Sequence, residues 1–275
     1  EGYSIRLFGY GSTSPKIRYL TSSEDSYGKT LTSSYYFLPN QSPYWTDDSY
    51  SPNGIGYAKR TLPIYVLWGE DGFLPESGIR FKSRNYNYFD GVVNTQGLGF
   101  CGFAHIRSYD QINTRPIRTD TYFDPTKRGI LSRLEARDGY SDVSFLFETQ
   151  ENTYDNHYTQ YGKLSPRLTQ SVTNDCLTGI ETSTTYTYGS YDFPTTIRTS
   201  RRIGEGTAQM ENLNRTYQHS TDPSAYVLGA ITTESMIREG DGSATMSWKE
   251  KDEITYDSHF HPLTRKRYVG KYGSI

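Results

Sequence analysis

The chain has 275 residues, enough for one large β domain or two ordinary ones. Its 29 basic and 31 acidic residues leave a net charge of −2, which gives no global attraction to nucleic acid or to an anionic membrane. No apolar run approaches the roughly 18 residues that span a bilayer; the best, Leu62 to Trp68, is short and contains Pro63. Tyrosine is the anomaly, with 26 Tyr against 12 Phe and 3 Trp. Tyr buries a ring while keeping a hydroxyl in water or on a partner, so the interior is expected to be half-wet. Two cysteines, Cys101 and Cys176, make neither a disulfide framework nor a zinc site; they read as two buried free thiols or one disulfide. The chain starts at Glu1 without a signal-like segment, as expected after a cleaved leader or for a piece of a larger protein.

Strand signals run along the whole chain. Ser4–Phe8 alternates, with Ile5 and Leu7 on one face, and Asn40–Gly54 is the strongest loop candidate. Ile79–Phe81 and Gly102–Tyr109 read as strands, and Tyr86 and Tyr88 share a face, as do Tyr186 and Tyr188, placed for cross-strand aromatic ladders. Ile130–Arg137 is open between a short helix and a strand. Asp142–Thr149, Glu181–Tyr188 and Glu253–Tyr256 alternate again. Asp71-Gly72, Asp90-Gly91, Asp138-Gly139 and Asp241-Gly242 read as hairpin dipeptides, because glycine accepts the positive φ of a tight turn. Gly204–Gly206 is a second loop. Helical periodicity is nearly absent, so the expectation is an all-β protein of long antiparallel hairpins.

Three segments share a Tyr-Asp step followed by a turn and a strand: Tyr154-Asp155, Tyr191-Asp192 and Tyr256-Asp257. Tyr is expected to pack across the hairpin stem while Asp accepts hydrogen bonds from turn amides. Such recurrence suggests stacked hairpin repeats.

These steps resemble the RHS/YD-repeat superfamily. The upstream segment Tyr86-Asn87-Tyr88-Phe89-Asp90-Gly91, followed by Gly97-Leu98-Gly99-Phe100-Cys101-Gly102-Phe103, is similar to a signature of insecticidal toxin-complex B-type subunits. The closest likeness covers residues 64–150, with degenerate YD repeats over 151–275, all within a single repeat segment 1–275 of a larger protein. Residues 1–63 match nothing by eye. The resemblance implies a long curved sheet, a spiral or an open barrel, that encloses a polypeptide cargo. It also implies secretion or surface delivery, partnership with other segments of the same protein, and no catalysis. The paired Asp-Pro signature of the family's self-cleaving protease is absent, since Thr126-Lys127-Arg128 after Asp124-Pro125 does not fit it.

Candidate chemistry was weighed residue by residue. His259 and His261 lie on one strand face near Asp257, a possible metal pair, though a solvent-facing strand end is the plainer reading and no metal or cofactor is expected. Asp47/Asp48, Glu70/Asp71 and Glu239/Asp241 offer carboxylates for a glycoside hydrolase, while turn-forming acids explain them more simply. The Asp47-Asp48 and Asp90–Asn94 loops have oxygen ligands for Ca²⁺ but no EF-hand spacing. Glycine-rich Gly9–Gly11 and Gly97–Gly102 lack the strand-to-helix context of a phosphate cradle. Arg201-Arg202 and Arg265-Lys266-Arg267 read as solvated strand faces rather than a nucleic-acid patch. An encapsulating wall segment is the favoured reading. A carbohydrate-binding module, with Tyr44, Trp45 and Tyr50 stacking on a cell-surface glycan, is the alternative, and a glycoside hydrolase ranks third.

Overall fold

A computed structural model describes residues 4–8, 19–38, 44–46, 50–52, 54–75, 77–112, 115–141, 144–158, 162, 164–189, 192–204, 209–219, 230–240, 248–257 and 261–271. The described residues form 18 strands and no α-helix, and therefore no helix long and apolar enough to cross a membrane. The chain divides into two compact units, Glu1–Phe147 and Glu148–Ile275.

The first unit contains β1 (Ser4–Phe8), β2 (Tyr19–Glu24), β3 (Thr30–Phe37), β4 (Tyr44–Trp45), β5 (Tyr57–Lys59), β6 (Tyr65–Phe73), β7 (Arg80–Asn94), β8 (Gly99–Asp110), β9 (Ile117–Asp124) and β10 (Ile130–Asp138). Antiparallel pairing gives the order β1-β2-β3-β6-β7-β8-β9-β10. The 15-residue β7 changes partner along its length. β6 pairs with its first third, and the insertion between β3 and β6 supplies the rest: β4 in parallel at Tyr88 and Phe89, β5 antiparallel at Val92 to Asn94. The predicted Asn40–Gly54 loop is thus an edge-filling insertion that carries a short strand of its own.

Two predicted turns are corrected. Asp71-Gly72 lies inside β6 and Asp90-Gly91 inside β7. Asp90 does adopt the left-handed conformation of a turn residue (φ 51°), but within a strand. Asp138-Gly139 turns as read, with Gly139 at φ 80°, and Ile130–Asp138 is strand β10 rather than helix. Asp241-Gly242 and Gly9–Gly11 lie outside the described residues. The thiols are free, but Cys101 is half-buried and Cys176 exposed, rather than both being buried.

Alternation decides which side chains leave water. Leu38, Val66 and Tyr88 are buried together, with Tyr44, Ile64, Tyr86, Phe103 and Ile106 packed around them. Fully burying such side chains contributes about 1.5–3 kcal/mol each.

The second unit is a meander of β11 (Leu146–Tyr158), β12 (Leu164–Asp175), β13 (Ile180–Tyr188), β14 (Pro194–Ile203), β15 (Gln209–His219), β16 (Ile231–Gly240), β17 (Trp248–Tyr256) and β18 (Pro262–Lys271), each antiparallel to the next. Among the described residues of this unit no hydrophobic side chain is buried; Asp252 is the one residue below the surface. Strand β12 is half-exposed at every position. Cross-strand pairs do the work of a core, such as Thr184 with Thr199 (3.1 Å) and Gln170 with Ser183 (3.3 Å).

A recurrent device ties the strands together. On every second strand the register shifts by a bulge, at Thr153/Tyr154, Thr187/Tyr188, Gln218/His219 and Thr255/Tyr256. Tyr188 Oη donates to the Leu168 carbonyl and Tyr256 Oη to the Ile231 carbonyl, each at 2.8 Å. Both acceptors lie next to the extra residue of the preceding hairpin's bulge, Thr169 on β12 and Thr232 on β16, and pair with Tyr154 and His219. In the first unit Tyr88 Oη reaches the Leu67 carbonyl (2.6 Å), opposite the Ser34/Tyr35 bulge. A tyrosine therefore bridges from one hairpin to the bulge of the one before. Tyr188→Phe and Tyr256→Phe each delete one such bond while keeping the ring, and each is expected to lower unfolding free energy by about 0.5–1.5 kcal/mol in urea titrations.

Candidate functional site

The sequence-derived positions fall into three groups. Tyr86, Tyr88, Gly91 and Phe103 belong to the first unit's packing: Tyr86 Oη donates to Glu70 (2.7 Å), and the Phe103 ring lies 4.8 Å from Tyr88 and 5.2 Å from Phe100. Gly97, Gly99 and Gly102 take positive φ (115°, 71° and 106°) around the β7–β8 hairpin, Gly102 at the Val92/Val93 bulge. Of the Tyr-Asp steps, Tyr154 and Asp155 pair within β11–β12. Asp257 accepts the His261 amide (2.9 Å) in the β17–β18 turn. Asp192 (φ 65°) receives Arg167, with His157 3.3 Å away. Tyr191, His259, Asp47, Asp48 and Asp241 lie outside the described residues, as does the Glu239 side chain. Among the described residues no group of three or more His, Cys, Asp or Glu is placed to hold a metal.

The three aromatics proposed for sugar stacking do not lie on one open surface. Tyr44 packs against the core, with its hydroxyl accepting the Gly91 amide (3.1 Å). Trp45 is 52% exposed. Tyr50 lines a cleft with Asp90. Burial of the Tyr50 phenol, then the charges of Asp124 and Asp90, push it up to about 12.

A built polar centre occupies the other face of β7–β10. Register places Phe89, His105, Tyr122 and Arg133 in one row across four strands. Phe89 and His105 stack at 4.4 Å (17° between planes), His105 and Tyr122 at 4.4 Å (11°), and the Arg133 guanidinium lies 5.9 Å over Tyr122. The adjoining row carries Arg107, Asp120 and Glu135. Asp120 has no solvent exposure. It receives His105 Nε2 (2.7 Å) and Arg107 Nε (2.6 Å). Arg118 Nε stands 2.6 Å from Oδ2 but off the hydrogen-bond direction, so that contact is ionic. Burial alone raises the Asp120 pKa. Hydrogen bonds from His105 and Arg107, with the charges of Arg107 and Arg118, outweigh it and hold the carboxyl at about 2. Glu135 is shared by Arg133 and Arg137 (3.1 Å).

Nothing in local sequence marked this centre, because its members are brought together from four strands by their pairing. The usable signal was Arg107, Asp120 and Glu135 each occupying interior positions of alternating runs, where an unpaired charge is costly.

A carboxyl whose pKa is depressed on folding contributes stability that is present above its ordinary value of 3.8 and is lost as pH falls through about 2. Wild-type stability is thus expected to drop by roughly 1–2 kcal/mol between pH 4 and 2 on this account. Asp120→Asn is expected to cost about 3–5 kcal/mol at neutral pH by stranding Arg107 and Arg118, and to flatten that part of the profile in pH-resolved urea unfolding.

No family model matches the chain, and no curated protein matches it. Among solved structures it is similar to a chain described as the crystal structure of TcdB2-TccC3-TEV, with a TM-score of 0.56 and 11% identity. The likeness covers 89% of this chain and 17% of that one. At this identity the likeness concerns the fold alone.

Proposed function

We propose that the chain is a non-catalytic wall segment of a secreted or surface-delivered protein of the RHS/YD-repeat or toxin-complex kind, joined to further segments of the same protein and enclosing a polypeptide. The observation that carries this reading is the second unit: eight strands paired only in sequence order, with no buried hydrophobic side chain among the described residues. A sheet that buries no hydrophobic side chain among its described residues has little use as the core of an enzyme. It suits a partition, whose two faces both meet water or hydrophilic cargo. Thr, Tyr and paired charges are the β-formers that such faces tolerate. The fold shared with the chain of TcdB2-TccC3-TEV supports the same reading.

The test pairs two measurements. Electron microscopy of the polypeptide as its gene encodes it is expected to show a sheet-walled cavity containing density. The purified chain is expected to leave chromogenic glycosides intact and to bind no glycan saturably on an array. A solid, cavity-free particle, hydrolysis, or saturable glycan binding overturns the proposal.

A further inference from the structure

The Asp90-Gly91 step is strained where a hairpin turn would not have been. Asp90 has φ 51° in the middle of β7 and is 1% exposed. The left-handed region costs a non-glycine residue roughly 1 kcal/mol or more, and burying a carboxylate costs several more. Gly91 makes the arrangement possible: a Cβ there would stand 2.9 Å from the Arg60 carbonyl, and the Arg60 amide donates to the Gly91 carbonyl at 2.8 Å. Strain, burial and a close β5 approach are all spent on holding one carboxylate in one place. That place is the wall of a cleft of about 320 Å³ lined by Tyr50, Asp90, Ala104, His105, Tyr122, Phe123 and Ser132.

We propose that this cleft is a binding site for a primary alkylammonium group, the chemistry of a lysine side chain. Four observations select that ligand. The carboxylate already faces an ammonium, since Lys59 Nζ lies 3.5 Å from Asp90 Oδ1 at the rim. Tyr50 and Phe123 add aromatic residues to the lining for the methylenes of a chain, while the Tyr122 ring is already stacked on His105 and faced by Arg133. A second carboxylate, Asp124, acts on the same phenol as Asp90. The volume falls at the small end of ligand clefts, suited to one side chain rather than a large cofactor. Lys59 is then an internal competitor that an incoming ammonium displaces towards water. The site lies wholly within the first unit and stands or falls independently of the wall reading.

The probes are n-butylammonium, n-butanol as its uncharged counterpart, and a short peptide with one central lysine, all at constant ionic strength. Asp90→Asn is the informative variant, because Asn also tolerates the left-handed region and keeps the fold while removing the charge. Butylammonium is expected to perturb the Tyr50 and Tyr122 resonances of the wild type saturably and n-butanol not at all. In Asp90→Asn the affinity is expected to fall by about tenfold or more. Lys59→Met removes the competitor: affinity is expected to rise several-fold, and added butylammonium to raise the melting temperature of this variant more than that of the wild type. Stronger binding of the lysine peptide than of butylammonium assigns the site to polypeptide, and the reverse assigns it to free amines. Should Lys59→Met not fold, the wild type against Asp90→Asn decides. Equal responses to amine and alcohol, or affinity unchanged in Asp90→Asn, overturn the site.

Discussion

A sheet whose described residues bury no hydrophobic side chain must draw on interactions within its own plane, and the second unit shows how. Hydrophobic burial, ordinarily the largest favourable contribution to folding, is reduced where the described apolar side chains are at most half-buried. What remains is ladder hydrogen bonding, cross-strand pairing and the Tyr-to-bulge bridges. A bulge disrupts the ladder locally, and the carbonyl beside its extra residue is left for another donor. Tyr188 and Tyr256 satisfy such carbonyls at Leu168 and Ile231 from one strand further on. The abundance of tyrosine follows: only a ring long enough to cross a strand, ending in a donor, performs both halves of that task.

The same constraint explains the charges. In the second unit Arg265 pairs with Asp252 and Arg267 with Glu250, and the first unit sets Asp120 among His105, Arg107 and Arg118. These clusters lie along rows perpendicular to the strands, so each couples two or more strands without needing a second layer. Truncating one member of such a cluster leaves its partners desolvated and unpaired, which is why Asp120 is a structural anchor as much as a chemical centre.

How much of this was legible in the sequence depends on the distance over which each signal acts. Period-two alternation is local, so Gly102–Tyr109 and Glu181–Tyr188 fall inside strands β8 and β13. Ile130–Asp138 is also a strand, its pairing with β9 settling what eight residues left open. Turn dipeptides mislead because they report a backbone preference, not its use. Asp90 takes the positive φ that Asp-Gly favours but does so inside β7, and Asp71-Gly72 continues β6 because β3 and β7 flank it on both sides. Tyr-Asp steps marked some hairpins. The recurring structural position is the bulge, where Tyr188 is followed by glycine and His219 stands in place of Tyr, so the repeat is more regular in three dimensions than in letters. The polar centre was invisible because strand register, not the local pattern, brings its charged rows together.

The two units solve one problem with different means, and the difference locates any specific chemistry. The second is uniform along its strands, with no side chain buried for reasons other than pairing. The first departs from uniformity at β7, whose edge is completed by β4 and β5 rather than by a full-length strand. Completing an edge with two short pieces leaves a gap between them, and there Asp90 is strained, Gly91 is obligatory and Tyr50 is desolvated. The strain at Asp90 and the cleft that Asp90 lines with residues of β8, β9 and β10 coincide at this point of the sheet. Their retention by this sequence is the physical reason to seek recognition at that point of the first unit rather than along the regular ladders of the second.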